Sequence, residues 1–277
     1  MSQNFPSLEE TIRKSDYDRY AAAVFAPPNL RGHLFALYAF HYEIAKTAES
    51  VSEALAGQIR LQWWRDAIGE LRARKTREHP VALALAEALR AHDLPQALFD
   101  QMIDARESDL EEMPFQDMTS LETYADATSG NVMRLAARIL GAGERLDAGL
   151  RDAGIAYAIA GLLRAMPYHA AERRLVLPVA SLRAAGLSPD DIFAGKTSGA
   201  LTAVFAQMAE AARTHLGAAR AIPKPRKFLP VLLPAVLVPL YLKPLTKAGF
   251  NPFRDVVEIP IYRRQLAMLR ASFRGSL

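Results

Sequence analysis

β-Branched residues in this chain never fall into the alternating runs that mark strands, whereas apolar residues recur at helical spacing between capping and stop signals along its whole length. That pattern predicts an all-α fold. Ala and Leu dominate, which favours helices further. With 277 residues, 51% of them hydrophobic, a sizeable core is within reach. No linker, internal repeat, low-complexity tract or heptad array breaks the series, so residues 1–277 read as a single helical domain.

The punctuation sets expected boundaries. Ser7-Leu8-Glu9-Glu10 and Thr119-Ser120-Leu121-Glu122 have the spacing of a capping box. Pro27-Pro28 stops the first helical region, and Asn29 is positioned to cap a second helix reaching about Ala56-Gly57. A third carries Ile59, Trp63, Trp64, Ile68 and Leu71; His79-Pro80 opens a fourth, and Asp93-Leu94-Pro95 a fifth that ends near Met113. Long helices follow over about 120–140, stopped by Gly141, over about 144–166, cut by Pro167, and over about 198–221. A last one is expected over 255–273.

The chain contains no cysteine, which excludes disulfides, thiolate metal sites and a cysteine nucleophile. Met1-Ser2-Gln3-Asn4-Phe5-Pro6 shows neither a basic n-region nor an apolar h-region. The greasiest stretch, Phe228 to Leu242, is shorter than the ~20 residues of a membrane span and holds Pro230, Pro234 and Pro239. A soluble, cytoplasmic protein is therefore expected. Ten of the 34 Lys and Arg residues lie from Pro223 onward, against Asp255 and Glu258 alone, in a region that is also apolar. Such a tail suits peripheral contact with an anionic inner-membrane surface or an acidic partner, and equally an ordinary solvated helix face. The basic residues lack the regular aromatic interleaving of a nucleic-acid platform, so no nucleic-acid partner is expected.

No phosphate loop, His-Glu-x-x-His or Gly-x-Ser-x-Gly occurs. The six histidines are scattered, and His33 and His41 are too far apart for an i, i+4 metal pair. Glu49 and Glu53 would share a face of the second helix, either as a lone ion site or as an exposed surface. Asp104, Glu107, Asp109, Glu111 and Glu112, with Arg106 among them, read as a solvated face.

Three segments carry a resemblance. Phe35-Ala36-Leu37-Tyr38-Ala39-Phe40 follows Pro28 and Arg31; Tyr124 to Gly130 precedes Gly141; and Leu163-Arg164 leads through Arg174 to Leu177-Pro178. In order and spacing these resemble the squalene and phytoene synthases over roughly Asp16 to Phe273. The resemblance implies an isoprenoid-synthase helical bundle around a central cavity. It also implies head-to-head joining of two prenyl diphosphates, with Mg²⁺ held between two helices that each bear Asp-x-x-x-Asp. Ionising an allylic diphosphate means stabilising a leaving group of about three negative charges, and hard oxygen ligands suit Mg²⁺.

Both motifs fail here. The first pair of Asp positions falls on Ala45 and Glu49, with Lys46 beside them; the second falls on Ala165 and His169. No Asp or Glu occurs between Ala153 and Ala171, so no shift of register restores the second pair. No catalytic residue and no metal ligand is expected, and Mg²⁺ enters only with a transferase reading. Arg31 and Arg164 are candidates for direct binding of an anionic head group, or for internal ion pairs with Glu43, Glu49 or Glu172.

The string Leu163-Arg164-Ala165-Met166-Pro167-Tyr168-His169, with Arg173-Arg174, resembles the phytoene-synthase-like assembly factors of respiratory complex I. Val51-Ser52-Glu53, Arg60-x-Gln62-x-Trp64, His79-Pro80-Val81-Ala82 and Ile103-Asp104-x-Arg106-Glu107 match that subfamily too. Pro167, Tyr168 and His169 are expected to end and pack a helix; of Trp63 and Trp64, one is expected in the core and the other as an anchor for a partner. The resemblance implies a non-catalytic protein with a partner in membrane-complex assembly. The alternatives are a prenyl-diphosphate transferase and a non-catalytic isoprenoid or lipid carrier.

Overall fold

The structure, a computed structural model, describes residues 7–111, 113–223 and 225–277. The N-terminal stretch without a leader pattern, Glu112 of the acidic run and Lys224 of the basic tail lie outside them. Among the described residues the chain forms fifteen α-helices and no strand.

Side-chain caps set the first boundaries. Ser7 Oγ accepts the Glu10 N–H at 3.2 Å to start α1 (Leu8–Ser15), and the Asp16 carboxylate accepts the Arg19 N–H at 3.1 Å to start α2 (Tyr17–Ala23). α3 (Pro28–Ala45) begins on Pro28, where a missing N–H costs nothing, so Asn29 lies inside the helix rather than at its cap. It also ends about ten residues earlier than expected. Thr47 Oγ1 donates to the Glu43 carbonyl at 3.1 Å and Ser50 Oγ to the Thr47 carbonyl at 3.0 Å, taking acceptors a continuing helix needs. Glu49 therefore sits in a turn and Glu53 is the extended cap of α4 (Ala54–Arg72). The expected Glu49–Glu53 face does not exist.

α5 (Pro80–Ala91) and α6 (Gln96–Leu110) follow, the latter capped by Pro95 rather than Asp93. α7 (Met118–Ala125) is capped by Asp117, two residues before the expected Thr119: Asp117 and Ser120 side chains accept each other's N–H at 2.8 and 3.1 Å. It runs into α8 (Asn131–Ile139) through one π-helical turn, 126–130. Thr128 Oγ1 takes the Tyr124 carbonyl at 2.7 Å, and the Asn131 N–H reaches back five residues to Asp126. Gly141, at φ +79°, stops the helix as its position predicts.

α9 (Asp147–Ala171) is the centre of the molecule, packed along α12 (Gly199–Ala221) and against α8, α13 (Leu229–Val236) and α14 (Val238–Leu245). Pro167 does not cut it. One lost N–H weakens a helix without ending it when the residues beyond still pack, and Ala170 is buried. The stop is Arg173, at φ +56°, where the Arg173 and Arg174 N–H groups close back on Ala170 and His169 at 3.0 and 2.7 Å. Between α9 and α12 lie the short α10 (Val179–Ala184) and α11 (Pro189–Phe193).

The apolar run near the C-terminus is longer than expected. Residues 226–245 form a helical stretch of 20 residues with mean hydropathy 1.8, because Pro230 and Pro239 fall in first turns where helices accept them. Its length and composition would allow a membrane crossing, yet 72% of it is buried inside the protein. α15 (Ile261–Arg274) starts after Pro260, not at Asp255, whose carboxylate is engaged by the Asn251 N–H in a turn.

Two contacts hold this arrangement. Asp18, 3% exposed, accepts hydrogen bonds from Tyr157 (3.1 Å) and Tyr241 (2.5 Å) and pairs with Arg264 (2.7 Å), tying α2, α9, α14 and α15. α9 also crosses the π turn so closely that a Cβ on Gly154 would lie 2.5 Å from the Gly130 Cα. Replacing Gly154 by Ala gains about 1 kcal/mol of helix propensity but forces backbone apart, at the ~3 kcal/mol top of the usual overpacking range. The expected net loss is about 2 kcal/mol by urea denaturation. Unchanged stability in Gly154→Ala would show that the crossing is not tight.

Candidate functional site

The helices border two adjoining lobes beside α9, the larger of them open to solvent. The larger, about 250 Å³, is walled by Arg19 of α2, His41 of α3, Arg106 of α6, the π turn, and Tyr157 to His169 of α9, with Tyr241 of α14. The smaller, about 170 Å³, is bounded by Ala45, Glu49, Asp109, His169 and Arg174. Arg106, Tyr124, Leu162 and His169 line both. The structure thus brings together the four positions where the resemblance places metal carboxylates: Ala45 and Glu49 on one wall, Ala165 and His169 on the other.

The charges around them are reversed. Asp109, 8% exposed, is held at once by Arg106 (3.0 Å), by the Tyr124 hydroxyl (3.0 Å) and by Arg174. Arg19 is paired with Asp16 at 2.5 Å, donates to Ser129 at 3.2 Å and lies over the Tyr157 ring. Burial acts to lower the pKa of Arg19, but Asp16, Tyr157 and Tyr38 together outweigh it and the guanidinium is held more firmly charged than usual. Arg106 behaves alike, with Tyr124 and Asp109 opposing burial. Arg164 makes no ion pair among the described residues; its guanidinium stacks on the Tyr241 ring, 4.0 Å from the centroid.

The histidines answer to this field. Burial, then Arg174, pushes His169 down to about 4; burial, then Arg19 and Arg106, pushes His41 well below its ordinary value. Burial likewise raises the Tyr124 and Tyr157 hydroxyls. Both imidazoles are neutral near pH 7.

Other expected residues lie elsewhere. Arg31 is outside both lobes and donates to the Ala26 carbonyl at 2.9 Å. Lys46 and Arg60 pair with Glu43 at 2.6 and 2.8 Å, so Lys46 does not enter the lobes. Trp64 is core, 1% exposed; Trp63 is half-buried, with Arg77 over its ring and His79 beside it. Tyr168, 54% exposed, points away into a surface groove with Pro167. The acidic run splits: Asp104 and Glu107 bind Arg65 at 2.8 and 2.9 Å on the surface, whereas Asp109 is internal rather than solvated. Arg19, Arg106, Asp109 and Arg174 were missed as a group. The local signals were Asp16-x-x-Arg19 and Arg106-x-x-Asp109, both at i, i+3.

Tested against the Mg²⁺ that the resemblance implies, the residues do not fit. Ala45 and Ala165 offer no donor, His169 is hemmed by cations, and Asp109 has its oxygens engaged by two arginines and a tyrosine. Among the described residues no group of three or more His, Asp or Glu is placed to hold a metal.

The family model for squalene/phytoene synthase matches residues 12–266. The chain belongs to the squalene/phytoene synthase family. A dehydrosqualene synthase crystallised with a ligand superimposes with a TM-score of 0.82 at 16% identity, covering 96% of this chain and 94% of that one, which establishes the all-α family fold. Complex I assembly factor 6 of Bos taurus is 32% identical over 252 residues, 90% of this chain and 76% of its own length. Presqualene diphosphate synthase of Rhodopseudomonas palustris is 30% identical over 202 residues, 72% of each chain.

A histidine with a depressed folded pKa contributes stability that is full above its unfolded value near 6.5 and is lost as pH falls towards about 4. Between pH 7 and pH 5, His169→Gln should therefore lose about 1 kcal/mol less stability than the parent, a figure reduced for the ring's partial exposure. Chemical denaturation at the two pH values measures it; parallel losses would mean that His169 titrates normally.

Proposed function

We propose that this chain is a non-catalytic member of the squalene/phytoene synthase family that assists assembly of respiratory complex I. The observation that carries the reading is the exchange of metal-binding carboxylates for Ala45, Ala165 and His169 in a chamber dominated by arginine. The assembly-factor relatives supply the rest, since they match nine tenths of this chain. A partner protein follows from that role. The transferase reading rests on the presqualene diphosphate synthase match, but it lacks the ligands that would hold Mg²⁺ against a departing diphosphate.

Work on a membrane complex suits a protein that sits peripherally at the inner membrane, on its cytoplasmic side. α15 supports this placement. It contains no acidic residue, and its outer face exposes Tyr262, Leu266, Leu269 and Phe273 among Arg263, Arg270 and Arg274. Apolar side chains with flanking cations favour an anionic interface, each cation contributing about 1 kcal/mol near the surface.

Deleting the gene in its host should lower NADH-linked respiration and leave complex I subassemblies on native gels, with recovery on re-expression. The purified protein should release no pyrophosphate from farnesyl diphosphate with Mg²⁺. Normal complex I in the deletion strain, or steady pyrophosphate release, would overturn the proposal. For α15, the protein should co-sediment with phosphatidylglycerol vesicles and not with phosphatidylcholine. The double variant Leu266→Asp with Leu269→Asp should reduce that binding at least tenfold; equal binding by the variant would remove α15 from the interface.

A further inference from the structure

We propose that the outer face of α4 and α6 docks a basic amphipathic helix of a protein partner. This rests on the assembly reading and gives the partner's contact segment a chemistry.

The face is built from parallel rows. On α4, Leu55 and Ile59 are 63% and 64% exposed, and with half-buried Trp63 they stand at i, i+4 and i+8 on one side of the helix. The core stripe of α4 is carried separately by Leu61, Trp64, Ile68 and Leu71, so the outer row is surplus to packing. On α6, Asp100, Asp104, Glu107 and Glu111 recur at i, i+4, i+7 and i+11, a row of carboxylates; Asp109 falls on the opposite side and is internal. The helices pack on each other, with Gly57 against Leu110 and Arg65 reaching Asp104 and Glu107 at 2.8 and 2.9 Å. The carboxylate row therefore runs beside the apolar one, with exposed Gln58, Gln62 and Asp66 between them.

Charge on this face is unbalanced. Among the described residues, Arg65 is the one cation paired with the α6 row. Glu107 and Glu111 also stand at the C-terminal end of α6, whose last turn has no basic residue, where helix carbonyls already concentrate negative potential. Acids at that end cost the helix stability, and a docked cation would offset the cost. Beyond Trp63 the sign changes, with Arg77 over the indole and Arg72, Arg74 and Lys75 exposed. The row from Leu55 to Trp63 spans ~12 Å, a little over two turns. A partner helix fits it with apolar residues on that row and Lys or Arg over α6, and a tryptophan at its end is a common anchor. An anionic membrane would be repelled by the carboxylates. The basic α15 packs on α2 and α13 and α4 on α5 and α6, so the two faces are built from different elements.

Titration calorimetry of the full chain tests the surface with a synthetic 18-residue Leu/Lys amphipathic peptide and its Leu/Glu counterpart. The Lys peptide should bind at least tenfold more tightly, and its binding should weaken as salt rises. Leu55→Ser with Ile59→Ser, at exposed positions where the fold survives, should weaken binding at least tenfold, as should Asp104→Asn with Glu107→Gln. Leu266→Ser with Leu269→Ser, on α15, should bind the peptide as the parent does. Thermal melts verify that each variant is folded. Leu55→Ser with Ile59→Ser should also keep the parent's binding to phosphatidylglycerol vesicles and, in the deletion strain, leave complex I subassemblies unresolved. The proposal is overturned if the Lys peptide does not bind, if the α4 and α6 variants bind it unchanged, if the α4 variant loses vesicle binding, or if it restores complex I fully. Normal complex I in the deletion strain itself would overturn the assembly reading instead, and the titration would still decide whether this face docks a basic helix.

Discussion

A guanidinium withdrawn from water must find a carboxylate, a ring face or a ligand, and the centre of this fold is arranged around that requirement. Arg19 takes Asp16 and the Tyr157 ring, Arg106 and Arg174 divide Asp109, and Arg264 takes Asp18. The Arg106–Asp109 pair lies within α6 and Asp16 caps the helix of Arg19, but Tyr157, Arg174 and Arg264 reach these groups from other segments, so satisfying the charges also sets how α2, α6, α9 and α15 meet. The Asp18 node alone joins residues near both ends of the chain to the middle of α9. Breaking such a buried pair typically costs 3–5 kcal/mol, because the surviving charge is stranded. The hydrophobic core packs the helices; the buried ions decide which faces meet.

That use of carboxylates explains the chemistry as much as the architecture. A metal site needs several oxygens free to converge on one point. Here the internal carboxylates of Asp16, Asp18 and Asp109 are engaged by arginines and tyrosines, and the positions facing the lobes are Ala, His or a rim Glu. The fold is common to this chain and to a dehydrosqualene synthase, whereas the electrostatics of the chamber belong to this chain's own side chains.

Much of the fold was legible because its signals are local. Ser7, Gly141 and Ser198 mark helix ends through their own backbone and cap chemistry. The end of α3 was not, since Thr47 and Ser50 can equally continue a helix or capture its carbonyls, and only the surroundings decide. Pro167 misled for a related reason: its local penalty is real but smaller than the packing of Ala170 beyond it. In the site, Ala45, Glu49, Ala165 and His169 were singled out through the family resemblance; Ala45 and Glu49 line the smaller lobe, Ala165 the larger, and His169 both. Asp109 was hidden inside a charge run that elsewhere on α6 is surface, and its partners Tyr124 and Arg174 come from distant segments. Burial of one charge among many exposed ones is a tertiary fact, with no one-residue signature.

Holding an anion and ionising one are different tasks. Catalysis of a departing diphosphate requires contacts that strengthen as the bond breaks; contacts of equal strength before and after lower the ground state as much as the transition state. The arginines here are already drawn toward Asp16 and Asp109, so part of their field is committed and cannot grow with the charge on a leaving group. Among the described arginines of the lobes, Arg164 has no carboxylate partner, and its guanidinium lies over the Tyr241 ring, 4.0 Å from the centroid. Such a chamber does not favour turnover. In this member of the family, the space between the helices then serves the fold itself, which is consistent with a surface presented to a partner rather than a reaction.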